Sequence, residues 1–145
     1  MLTEEGKSKI KARWRERPAG TTYPPATAEE LADFEDRHTA IPDDYRWFLQ
    51  ECGSGVVGSE WLDGIDDLFS SHQKFREECA IPNGWRTKEM FIIGWDGSGC
   101  PIGGLPGGAI AVQEPGAESA RILSPSLGAF LAAGLELETA ETNEG

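Results

Sequence analysis

The chain has 145 residues, 39% of them hydrophobic, and a formal net charge of −12. That length suits one domain with a real core. The sequence contains no apolar run near the 18 or so residues of a membrane span, and its start, MLTEEGKSKIKARWRERPAG, has no apolar signal-peptide region. Three widely spaced cysteines (Cys52, Cys79, Cys100) with no C-x-x-C read as free thiols in a reducing compartment, so a cytoplasmic protein is expected.

The charge is uneven. Residues 1–20 carry six Lys/Arg against three Glu, a net of +3, which leaves 7 Lys/Arg against 22 Asp/Glu, a net of −15, for the rest. Such a body repels nucleic acid and anionic membrane and attracts basic partners, or simply keeps the protein dissolved. The basic stretch reads as a helix over residues 6–17 with Ile10 and Trp14 on one side. Its arginines beside a tryptophan also fit a nucleic-acid contact, but packing of Ile10 and Trp14 on the domain suits the acidic body better. Residues 18–26, PAGTTYPPA, read as a linker or extended arm.

Thr27-Ala-Glu-Glu30 spells a capping box, and Leu31, Phe34 and His38 line one face of the helix it opens. Ile41-Pro42 breaks that helix. A second follows, with Pro42 at the first helical position, Asp43 and Asp44 on the positive end of the dipole, and Tyr45, Phe48, Leu49 and Cys52 at i, i+3, i+4 and i+7. Gly53 ends it. The two together predict an αα-hairpin.

Downstream the texture becomes strand-like. Val56-Val57, Glu60–Ile65, Met90–Trp95, Cys100–Gly103, Ala109–Gln113 and Ala120–Leu123 are short segments punctuated by glycine-rich turns, which predicts an antiparallel meander. Residues 70–80 read as a serine-capped helix. A final helix is predicted to open at Ser124-Pro125 and to pack Leu127, Phe130, Leu131 and Leu135; residues 136–145 form an acidic tail. The fold class is therefore α+β, an antiparallel sheet of about four to six strands flanked by an N-terminal αα-hairpin and a C-terminal helix.

Catalytic patterns are missing. His38 falls on an apolar helix face, and His72 has no partner at H-E-x-x-H spacing. The glycine runs at 94–99 and 103–108 lack the P-loop lysine and open no helix. No G-x-S-x-G elbow is present, the helix dipole accounts for Asp43-Asp44, and nothing beside Asp66-Asp67 suggests acid–base work. No enzyme activity, metal or cofactor is expected.

The succession AEELADFE (28–35), IPDDYRWFL (41–49), CGSG (52–55), FIIGWDGSG (91–99) and SPSLGAFL (124–131) resembles the Smi/Knr-type domain of the SUKH superfamily. Glu35, Pro42, Tyr45, Phe48, Leu49, Gly53 and Gly55 occupy the family's positions, with Cys52 where asparagine is usual. The likeness covers residues 27–135, setting 1–26 apart as a basic arm with a proline-rich linker. It implies an α+β binding domain. Many bacterial members resemble immunity proteins that neutralise nuclease or deaminase toxins, whereas fungal members are cell-wall and signalling regulators. The expected function is thus toxin binding, with a regulatory or scaffold module as the alternative, and the expected partner is a protein with a basic surface rather than nucleic acid or membrane. Glu60, Trp61, Asp63, Asp66, Asp67 and Asp96 are the candidate contacts, as exposed acids and an aromatic near the glycine-rich turns; Trp61 reads equally well as an anchor for the partner or as core.

Overall fold

A computed structural model of the chain describes residues 2–18, 20–58, 60–68, 70–71, 90–114 and 120–137. The first helix, α1 (Glu4–Trp14), starts earlier than the pattern of apolar residues suggests. Thr3 is its cap, accepting the Gly6 N–H at 3.0 Å. Ile10 and Trp14 are buried, and the helix's cations are engaged by the protein itself. Lys11 pairs with Glu51 at 3.0 Å, Arg13 donates to the Leu135 carbonyl at 2.8 Å, and Arg17 donates to the Val56 carbonyl. The basic helix is therefore built into the domain.

Residues 20–26 run along the turn that follows the helix Asp43–Glu51. The Val56 N–H donates to the Thr21 carbonyl, the Tyr23 N–H to Ser54 and the Ala26 N–H to Leu49, with Thr22 bridged to Gly55. The capping box at the start of α2 (Ala28–Arg37) forms as predicted: Glu30 N–H to Thr27 Oγ1 at 3.1 Å and Thr27 N–H to Glu30 Oε1 at 2.9 Å. Leu31 and Phe34 face the core, and the His38 ring lies 5.2 Å from Phe34. Glu35 fastens the hairpin, accepting from the Ile41 N–H (3.0 Å) and the Arg46 guanidinium (3.3 Å).

Helix α3 (Asp43–Glu51) begins one residue later than expected. Pro42, at ψ 137°, is the capping residue and not the first helical one. The predicted face holds: Tyr45, Phe48, Leu49 and Cys52 are buried. Gly53 (φ +95°), Ser54 (φ +98°) and Gly55 (φ +146°) then turn the chain sharply. A side chain at Gly53 would run into the Tyr23 carbonyl, so the glycine is required both by its φ and by the strand laid against it.

Six antiparallel strands follow in consecutive order: β1 (Val56–Val57), β2 (Glu60–Leu62), β3 (Phe91–Trp95), β4 (Pro101–Gly104), β5 (Ile110–Val112) and β6 (Arg121–Ser124). This is the expected meander at the upper end of its strand count. Residues 65–68 and 70–71 are helical; the rest of the helix expected over 70–80 lies outside the described residues, as does Cys79. On β3, Phe91 and Ile93 join the main core, while Met90 and Ile92 form a smaller cluster on the other face. An irregularity between Ile92 and Gly94 shifts the alternation, so Trp95 packs with the smaller cluster.

The last helix, α4 (Leu127–Gly134), is capped by Ser126, which accepts the Ala129 N–H at 3.0 Å. The expected cap, Ser124, instead closes β6, paired with Ile110. Sheet pairing took that residue, and the next serine caps the helix. Leu127, Phe130, Leu131 and Leu135 are buried as expected. Cys52 and Cys100 are free, buried thiols, and burial pushes Cys52 up to about 12.

At the centre lies the Tyr45 hydroxyl, on a side chain only 2% exposed. It donates to the Asp63 carbonyl at 2.6 Å, with the Ile93 carbonyl at 3.3 Å and Ser54 Oγ at 3.4 Å around it. Tyr45→Phe is expected to lower stability by about 1–3 kcal/mol in urea unfolding, because the Asp63 carbonyl stays buried without this donor. An unchanged midpoint would show that water takes over the bond.

Candidate functional site

The six residues singled out from sequence divide into three groups. Trp61, Asp66 and Asp67 are exposed on adjoining elements. Trp61, on β2, is 40% exposed, which decides for a surface position over a core one. The Tyr23 ring meets its indole edge-on at 5.5 Å. Asp66 and Asp67 stand on the helical turn at 65–68, which follows β2 after two residues. Tyr23, Pro24, Pro25 and Glu30 line a groove of about 230 Å³ with them; an adjoining groove of about 200 Å³ runs on past Asp66 to Asp33, Phe34 and Arg37. Arg37, the one cation lining them among the described residues, is held by Asp33 at 3.2 Å. The result is an acidic surface with an aromatic and proline edge. Burial, and then the Asp67 carboxylate, push the Tyr23 phenol up, so it stays a neutral donor at physiological pH.

Asp63 is a correction to the expected exposed set, since it is 1% exposed. Its carboxylate accepts from Ser71 Oγ at 2.5 Å and from the Trp95 indole at 3.1 Å, and its N–H donates to the Ile93 carbonyl at 2.8 Å. It thus ties the helical segment bearing Asp66 and Asp67 to β3, beneath the acidic surface. Burial pushes its pKa up to about 6; the Ser71 and Trp95 donors oppose this, and Asp67 adds to it.

Glu60 and Asp96 stand apart from the grooves. Glu60 is half-buried at the start of β2. Asp96 holds the β3–β4 turn, accepting the N–H groups of Ser98 (2.8 Å) and Cys100 (2.9 Å). Its charge serves that turn.

Sequence reasoning missed Tyr23, Pro24, Pro25, Glu30 and Asp33. The proline-rich stretch was legible as extended, yet composition gave no sign that it lies against β2. Glu30 and Asp33 read as the solvated side of a capped helix, which they are, and the 65–68 turn makes that side one wall of a groove. Among the described residues no group of three or more His, Cys, Asp or Glu is placed to hold a metal ion, and no helix is long and apolar enough to cross a membrane.

A helical hairpin and C-terminal helix packed on a sequential antiparallel meander define a small α+β domain. Residues 25–133 match the model of the SMI1 / KNR4 family (SUKH-1), and the chain belongs to that family. Membership is consistent with a protein-interaction or immunity-type domain. A comparison with curated proteins gives no match.

The raised pKa of Asp63 has a definite sign. The folded protein holds a proton that the unfolded chain, at its ordinary 3.8, has already released. The group's contribution is therefore fully favourable below about 3.8 and is lost as pH rises through about 6. Asp63→Asn is expected to gain on the wild type between pH 4 and 7, by on the order of 2–3 kcal/mol in chemical unfolding. A constant difference across that range would contradict the assignment.

Proposed function

We propose that this chain is a non-enzymatic protein-binding domain, an immunity protein that binds and neutralises a bacterial toxin domain of nuclease or deaminase type in the cytoplasm. The observation that carries the reading is the pair of adjoining grooves lined by Tyr23, Glu30, Asp33, Asp66 and Asp67, with Trp61 set edge-on against Tyr23 at their rim. A nuclease surface that grips phosphates is basic, and a partner shaped like it meets complementary charge here with an aromatic anchor alongside. Family membership and the −15 outside the first 20 residues support the same partner class. The charges speed encounter, and Trp61 slows release.

The test begins with the gene next to this one. Its product, if toxic, is expressed with and without the domain, and equal killing in both cases sinks the proposal. With the toxin in hand, Trp61→Ala is expected to weaken binding by about tenfold to a hundredfold, mainly through faster dissociation. Asp66→Lys with Asp67→Lys is expected to slow association by about tenfold and flatten its salt dependence. Stopped-flow mixing at two ionic strengths reads both. A domain with no toxin beside it, whose partner is a host protein on the same grooves, fits a regulatory scaffold instead.

A further inference from the structure

On another part of the surface a cleft of about 430 Å³ opens between the start of α3, the β4–β5 turn and the start of α4. Among the described residues it shares no lining residue with the two acidic grooves. Its deep part is apolar: Tyr45, Ile93, Ile110 and Leu127 line it and are nearly inaccessible. Its mouth carries the exposed Pro42, Pro106 and Pro125. Its volume lies in the roughly 300–1,000 Å³ range of ligand-binding pockets.

Two features say what would enter. Among the described residues of the lining the charged side chains are Asp43 and Asp44, with no Lys, Arg or His beside them. Asp44 is half-buried and accepts the Leu2 N–H at 3.1 Å, while Asp43 is exposed. The dipole of α3 explains why two acids stand there but supplies no cation to them. The second feature is Gly104, on β4. Its neighbour Gly103 is constrained, since a Cβ there would lie 2.6 Å from the Phe91 carbonyl. Gly104 has no left-handed φ, and a Cβ on it would meet nothing within 4 Å. A glycine weakens a strand. Here neither backbone conformation nor crowding calls for one, and what it leaves is open space on the cleft lining.

We propose that this cleft is a docking site for a partner segment that presents an aliphatic side chain beside a lysine or arginine. The aliphatic group fills the space over Gly104 and Tyr45. The long stem of the basic residue lies on the prolines and its head reaches Asp43. The proposal stands apart from the toxin reading, because it makes no use of the acidic grooves.

The probes are two capped dipeptides, acetyl-Leu-Arg-amide and acetyl-Leu-Glu-amide, titrated into the isotope-labelled full chain and followed by amide NMR. The arginine peptide is expected to shift Gly107, Gly108 and Leu127 saturably, and the glutamate peptide to bind about tenfold more weakly. Asp43→Asn is expected to erase that preference, and Gly104→Val to abolish binding with the unfolding midpoint unchanged or raised. Three results would overturn the proposal: no saturable shift at millimolar peptide, equal binding of both peptides, or wild-type affinity in Gly104→Val. A wild-type dimer in sedimentation that Gly104→Val dissociates would also overturn it, by giving the cleft to a second copy. Should Gly104→Val fail to fold, Asp43→Asn, at an exposed position, still decides the charge preference.

Discussion

A single phenolic hydroxyl joins parts of this domain that have little else in common. Tyr45 sits on α3, and its oxygen contacts the glycine-flanked turn after that helix, the backbone just beyond β2 and the middle of β3. An apolar ring of the same size would fill the space but leave the Asp63 carbonyl without this donor, and a buried carbonyl needs one. The ring packs on Phe48 and Phe91, so one residue supplies both contact area and polar closure. The bend at 53–55 is held from the other side by the extended 20–26 segment. Helix, turn and sheet therefore have one compatible arrangement.

The same point governs the acidic surface. Asp63 offers its carbonyl to Tyr45 and its carboxylate to Ser71 and Trp95. A buried carboxylate with two donors and no cation paired with it among the described residues is costly to charge, and burial raises its pKa accordingly. The return is position: the segment carrying Asp66 and Asp67 is pinned to the sheet, where those acids adjoin Tyr23. Acids that face solvent and an acid that holds them in place occupy adjacent stretches of chain and do different work.

Local signals were legible from sequence where one segment decides the outcome. The Thr27–Glu30 capping box, the buried face from Tyr45 to Cys52 and the turn at Gly53 each depend on residues a few positions apart. The order of those blocks, with the Phe91–Gly99 strand, was enough to point to the family. Signals failed where a distant partner decides. Asp63 has the composition of a surface acid, and only Trp95, 32 residues away, and the fold around Tyr45 place it inside. Ser124 and Ser126 are equally good caps until strand pairing with Ile110 claims the first. The 18–26 stretch has linker chemistry, yet residues 21–26 are a structural strap, because their backbone groups found partners at 49–56. Of the surface, Trp61, Asp66 and Asp67 were within reach of sequence, whereas the groove walls from α2 and the strap were not.

The bond from Arg13 to the Leu135 carbonyl spans 122 residues and joins the first helix to the end of the last. On a ribosome α1 emerges before α3 and α4 and at that stage finds none of its packing partners on them. Contacts of this reach form late, after the loop they close has been made. The basic helix therefore has a second life early in synthesis, when its lysines and arginines face solvent and the acidic body that will neutralise them has yet to be translated. The charge changes sign early, since residues 1–44 already hold seven Lys/Arg against ten Asp/Glu, and completion of α4 closes a chain that is by then acidic.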